Sequence, residues 1–106
     1  MVYIAEAHPV DGWQTESNNE QGLRIPQHVS LDDRRTAAES CRTGLSLSIP
    51  VLVDAIDNSA SIAFSAWPER IYIIGLDGLI AYRGGPGPFE FDPDEARGAL
   101  GQTLDA

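Results

Sequence analysis

The chain has 106 residues and 42% hydrophobic content, the size of one domain able to bury a single modest core, so two domains are not credible. Sixteen acidic against seven basic residues leave a formal charge of −9 at pH 7, which disfavours nucleic acid or an anionic membrane surface as a partner. No apolar run approaches the ~20 residues that cross a bilayer, and the start Met1-Val2-Tyr3-Ile4-Ala5-Glu6 offers neither a basic leader nor a small-residue cleavage site, so the expected location is cytoplasmic. Cys41 is the only cysteine. An internal disulfide, a CxxC redox pair and a thiolate zinc cluster are thereby excluded, and dithiol chemistry would need another chain or segment.

In chain order, Val2-Tyr3-Ile4 is a β-rich triplet. Pro9 to Gln27, with Asp11-Gly12, Asn18-Asn19 and Gly22, reads as a long loop of the kind that usually carries function or is disordered. Ser30 with Asp33 three residues on predicts a capped helix start. Leu31, Ala38, Cys41 and Leu45 mark its apolar face, and Gly44 marks its stop. Pro50 to Asp54 has the form of a buried strand. Asn58 to Ala66 predicts a short helix capped by Asn58, although Ile62, Phe64 and Ala66 also alternate. Arg70–Ile74 and Leu79–Tyr82 flank Asp77-Gly78, the signal of an antiparallel hairpin. After the Gly84–Pro88 loop, Asp92-Pro93-Asp94-Glu95 supplies an N-cap, a first-turn proline and first-turn acid. Ala96, Leu100 and Leu104 then mark a C-terminal helix face. The pattern is α/β in a single domain over 1–106.

Glu6 and His8 flank one residue at the end of a strand, so period-two alternation puts both side chains on one face at its C-terminal end. Open α/β sheets bind ligands there. A carboxylate beside an imidazole can fix its tautomer and suit it to proton transfer near neutrality; the alternative is a surface histidine beside a turn. His28 lies in a loop before a helix cap, exposed by default. Glu6, His8 and His28 are also suitable ligand types for zinc or iron, although the 20-residue separation of the histidines makes that grouping depend on the loop. Tyr3 on its strand fits core packing. Glu69 enters a strand directly after Pro68 and needs either a purpose or an ion pair to Arg70 or Arg83. The Gly84–Pro88 loop lacks the Lys-Ser/Thr of a phosphate loop, and Cys41 reads as a small buried hydrophobe.

Several of these segments together, Val2–Pro9 with Asp11-Gly12-Trp13, Ile25-Pro26-Gln27-His28 with Leu31-Asp32-Asp33-Arg34, Pro68–Ile74 and Gly84–Pro88, resemble the iodothyronine deiodinases over nearly the whole chain. The resemblance implies a thioredoxin-like fold and reductive removal of iodine from an aromatic, thyroxine-like substrate by a selenocysteine or cysteine. It implies catalytic roles for Glu6 and His8, substrate-binding roles for His28, Tyr3 and Glu69, and a cis bond before Pro68. No metal and no bound cofactor are implied; a small thiol or thioredoxin-type reductant is, and so is a homodimer. Ala5 stands where an acid is common, Pro86 where some members carry a basic residue, and the Gln14–Arg24 loop is longer than usual.

The nucleophile turn of that family has no counterpart here, so the expected architecture is a thioredoxin-like domain truncated at its N-terminus, without its first core strand and first helix. Read this way, the chain lacks the middle of its sheet and is expected to be unstable or rearranged alone. A selenocysteine codon read as a stop, with a restart at Met1, would account for it. The other readings are a non-catalytic thioredoxin-like binding module and a peroxiredoxin-like reductase.

Overall fold

The computed structural model describes residues 1–16 and 25–105. Asn18-Asn19, Gly22 and most of the Gln14–Arg24 stretch of the expected loop lie outside the described residues. The chain divides into two compact units, 1–65 and 66–106; the α/β class holds for the chain, with a parallel strand pair in the first unit and an antiparallel one in the second.

In the first unit β1 (Val2–Tyr3) pairs in parallel with β2 (Leu52–Val53), Val2 opposite Leu52 and Tyr3 opposite Val53. The Leu52 and Asp54 amides donate to the Met1 and Tyr3 carbonyls at 2.8 and 2.9 Å. Both strands are shorter than the sequence suggests. The expectation of a buried strand at Pro50–Asp54 is corrected, since Leu52 is 65% exposed. What is buried instead is Asp54, at the point where the strand gives way to a turn.

Between them runs α1 (Leu31–Gly44). Ser30 caps it, Oγ accepting from the Asp33 amide at 3.1 Å, and Asp33 accepts in return from the Val29 amide at 3.2 Å, which satisfies two donors that would otherwise be orphaned at this end. The helix ends with the Ser46 amide on Thr43 O and the Leu47 amide on Arg42 O. Ser46, at φ 52°, takes the left-handed position that a glycine usually fills. The inward stripe differs from the expected one: Arg34, Ala37 and Ala38 are buried, Leu31 and Cys41 are half-buried, and Leu45 is exposed. Arginine escaped an apolar count because its burial depends on distant partners.

Residues 59–64 form α2 (Ser59–Phe64), so the helical alternative wins over the alternating one. Its cap is not the expected one. Asn58 adopts a left-handed conformation and its side chain makes no capping bond. Asp54, 3% exposed, supplies the cap from four residues earlier, its two carboxylate oxygens accepting from the Ala60 and Ser61 amides at 2.9 and 3.0 Å.

The second unit is a hairpin with a helix against it. The strands β3 (Tyr72–Ile74) and β4 (Ile80–Arg83) are antiparallel, with Tyr72 opposite Arg83, Ile73 opposite Tyr82 and a one-residue shift at Ile74. The turn is the expected one: Gly78 has φ +81°, a conformation that strains residues with a Cβ, and Asp77 accepts from the Leu79 amide at 3.0 Å. Helix α3 (Pro93–Asp105) starts as expected, Asp92 accepting from the Glu95 amide at 3.0 Å. Its inward side runs through Ala96, Ala99 and Thr103, whereas Leu100 and Leu104 are exposed, so the expected face is rotated by about one position. The Trp67–Pro68 and Gly87–Pro88 bonds are cis.

Candidate functional site

The sequence places five residues at the site, and the first unit brings three of them together. Tyr3, at the end of β1, donates its hydroxyl to Glu6 Oε1 in a short hydrogen bond. His28 Nε2 lies 3.5 Å from the same oxygen, and the Tyr3 and His28 rings sit 5.8 Å apart between centroids. Burial first, and then the carboxylate it donates to, push the Tyr3 hydroxyl pKa upward, so the phenol keeps its proton.

Glu6 is no longer in strand, and its placement comes from a residue the sequence reading used only as part of a motif. The Gln27 side-chain amide brackets the Glu6 backbone, its Oε1 accepting from the Glu6 amide at 3.1 Å and its Nε2 donating to the Glu6 carbonyl at 3.0 Å. Gln27 is held in turn by Asp11, which accepts from the Gln27 amide at 2.9 Å, while the Val10 amide donates to Ile25 O at 2.9 Å. These bonds bring the two described ends of the long loop side by side, so His28 arrives beside Glu6 although 22 positions separate them.

His28 departs from its expected exposure, being 7% exposed. The cause is Arg34, about one turn into α1 from its cap and 1% exposed, whose Nε donates to His28 Nδ1 at 3.0 Å. The same guanidinium donates from one terminal nitrogen to Ala55 O at 2.6 Å and Asp54 O at 3.5 Å. Burial first depresses the His28 pKa, and the Arg34 cation adds to this, against the opposing pull of Glu6. Neither Arg34 nor Gln27 was singled out from the sequence. The available signal for Arg34 was its place in line with Leu31 and Ala38 on the helix.

The strand ends at Tyr3, short of both Glu6 and His8, so strand alternation does not set where the two side chains point. The His8 ring packs edge-on against Trp13 at 4.5 Å between centroids, and its Nδ1 is buried with no hydrogen-bond partner among the described residues. The metal reading required Glu6, His8 and His28 to converge; among the described residues no group of three His, Cys, Asp or Glu side chains is placed to hold an ion. Cys41 is half-buried and free.

Glu69 belongs to the second unit. Its carbonyl accepts from the Gly87 amide at 2.9 Å, and its carboxylate lies against Gly87 where a Cβ would stand. It makes no ion pair with Arg70 or Arg83 among the described residues; Arg83 donates to the Tyr72 hydroxyl instead, at 3.1 Å.

The cluster in the first unit thus offers a carboxylate with a protonated phenol on it and a buried neutral imidazole alongside, a set able to hold and pass a proton or to bind a polar aromatic group. Known proteins share these segments. A family profile described as iodothyronine deiodinase matches residues 1–104. The chain is 43% identical over 103 residues to the type II iodothyronine deiodinase of Petromyzon marinus, covering 94% of this chain and 34% of that protein. It is 42% identical over 97 residues to the thyroxine 5-deiodinase of Bos taurus, 92% and 31% covered, and 40% identical over 102 residues to that of Gallus gallus, 96% and 38% covered. The chain spans about a third of the length of these curated relatives. With a match that runs from its first residue to its 104th, the chain belongs to the iodothyronine deiodinase family.

Proposed function

We propose that this chain is the proton-handling and substrate-positioning part of a thiol-dependent reductive dehalogenase acting on an iodinated, thyroxine-like aromatic. In that reaction a ring C–I bond gives way to C–H and iodide, consuming a proton and two electrons. The electrons come from a selenol or thiol outside residues 1–106, restored by a small thiol or a thioredoxin-type dithiol. The scaffold is read as thioredoxin-like, cytoplasmic and homodimeric. No metal or bound cofactor takes part.

The Tyr3–Glu6–His28 cluster carries this reading. It is a polar group built from a strand end, a bend and a loop, held by Gln27 and Arg34, and more elaborate than packing requires. Glu6 with the Tyr3 hydroxyl passes a proton toward the ring carbon. His8 assists from the end beside Trp13, His28 binds the phenolic or iodine-bearing end of the substrate, and Glu69 is read as a substrate-binding residue as well. The test is iodide release from an iodothyronine with a dithiol reductant, using the protein with any residues its gene places ahead of Met1. Glu6→Gln and His8→Ala are each expected to lower turnover about 100-fold, the low end for a lost acid–base group. Full activity in both variants, or substrate binding without iodide release in the unmutated protein, would overturn the proposal.

A further inference from the structure

Arginine carries five N–H donors and no acceptor, so any atom that receives a hydrogen bond from it must present a lone pair. His28 Nδ1, 3.0 Å from Arg34 Nε, is therefore unprotonated, and the ring proton sits on Nε2. Adding a second proton at Nδ1 would set two N–H groups against each other beside a guanidinium that is 1% exposed and tied to the Ala55 carbonyl. Nε2 meanwhile is buried, 3.5 Å from Glu6 Oε1 and without a hydrogen-bond partner among the described residues. A buried N–H whose nearest acceptor, the Glu6 carboxylate, stands at the outer limit of hydrogen-bond reach is unusual in a folded protein and points to a closer acceptor that arrives with a ligand.

We propose that Arg34 is a positioning residue that locks His28 as the neutral tautomer with its proton on Nε2, so that this imidazole serves the site as a fixed hydrogen-bond donor to a phenolic or phenolate oxygen of the substrate and never as the proton source. The inference rests on the proposed dehalogenase reading and sharpens it, because it leaves Glu6 with the Tyr3 hydroxyl, and His8, as the groups through which a proton moves. The charged and titratable side chains facing His28 are Glu6 from the bend after β1, Tyr3 from β1, and Asp33 and Arg34 from α1. Glu6 and Asp33 favour an imidazolium; burial and Arg34 oppose it and prevail.

Nitrogen-15 NMR of the His28 ring decides the question without substrate, in the full protein labelled at histidine. The expected spectrum shows Nδ1 unprotonated and Nε2 protonated from about pH 7 to about pH 5.5, a range in which a free histidine charges. In Arg34→Met the two tautomers should mix and an imidazolium signal should appear near pH 6. A proton on Nδ1 in the unmutated protein, or an Arg34→Met spectrum identical to it, would overturn the lock. If Arg34→Met fails to fold, the unmutated spectrum still decides. Because that spectrum is recorded without turnover, a protein that releases no iodide refutes the dehalogenase reading and leaves the lock to be judged separately.

Discussion

Tyr3 and His28 both press on one carboxylate oxygen, and each has a separable consequence. The Tyr3 hydroxyl bonds a carboxylate in a half-buried setting, so Tyr3→Phe should cost about 2 kcal/mol of stability, the usual net worth of a hydrogen bond to a charged group. It should also lower turnover by removing the hydroxyl that donates to Glu6; urea unfolding and iodide release measure the two effects. His28 makes stability depend on pH. Its folded pKa lies below the ordinary 6.5, so between the two values the unfolded chain binds more protons than the folded one. The stability it contributes is complete above about 6.5 and is lost as pH falls through that window. The melting temperature should drop between about pH 7 and pH 5.5, and His28→Gln should flatten the drop. A steeper fall in the variant would contradict the assignment. At this scale the sequence singled out Tyr3, Glu6 and His28, which lie in recognisable motifs and which the first unit brings together. It could not show Arg34 or Gln27, whose roles exist only once α1 and the long loop have brought distant backbone to them.

At the scale of elements, the local signals read well and the long-range ones did not. Ser30 with Asp33, Asp77-Gly78 and Asp92-Pro93 each act within four residues, and each forms what its pattern predicts. The α2 cap failed because the acceptor sits on the far side of a turn: a buried carboxylate at the end of β2 outcompetes the adjacent Asn58. Asp54→Ala should therefore destabilise the first unit by about 2 kcal/mol, through two unsatisfied helix donors, whereas Asn58→Ala should have little effect; thermal melts of the two variants make the comparison. The helix faces were misjudged for a related reason, since small residues at Ala37, Ala38 and Ala96 let a helix approach its sheet where the longer leucines would hold it off. In the Gly84–Pro88 loop, a methyl at Gly85 would strike the Cβ of Glu90, which has no freedom to retreat. Gly85→Ala should lower the melting temperature of the second unit, and an unchanged melt would show that the loop yields.

For the whole chain, the fully buried hydrophobic side chains among the described residues are three alanines, and Ile62, Leu79 and Phe89 stand largely in solvent. Alanine methyls bring only about 1 kcal/mol each, small against the ordering cost of about 1 kcal/mol or more for every backbone residue. Residues 1–106 expressed alone are thus expected to bind a hydrophobic dye and to melt broadly; a sharp calorimetric transition would contradict this. The pairing of β1 with β2 has a further consequence for how the site can be watched. The Leu52 and Asp54 amides donate to carbonyls of the short segment that carries Tyr3 toward Glu6. Exchange of those two amide protons with deuterated solvent requires that segment to lift away, and when it lifts the Tyr3–Glu6–His28 cluster comes apart with it. These two amides, in and just after a strand that holds no site residue, therefore act as a clock for how long the cluster stays assembled.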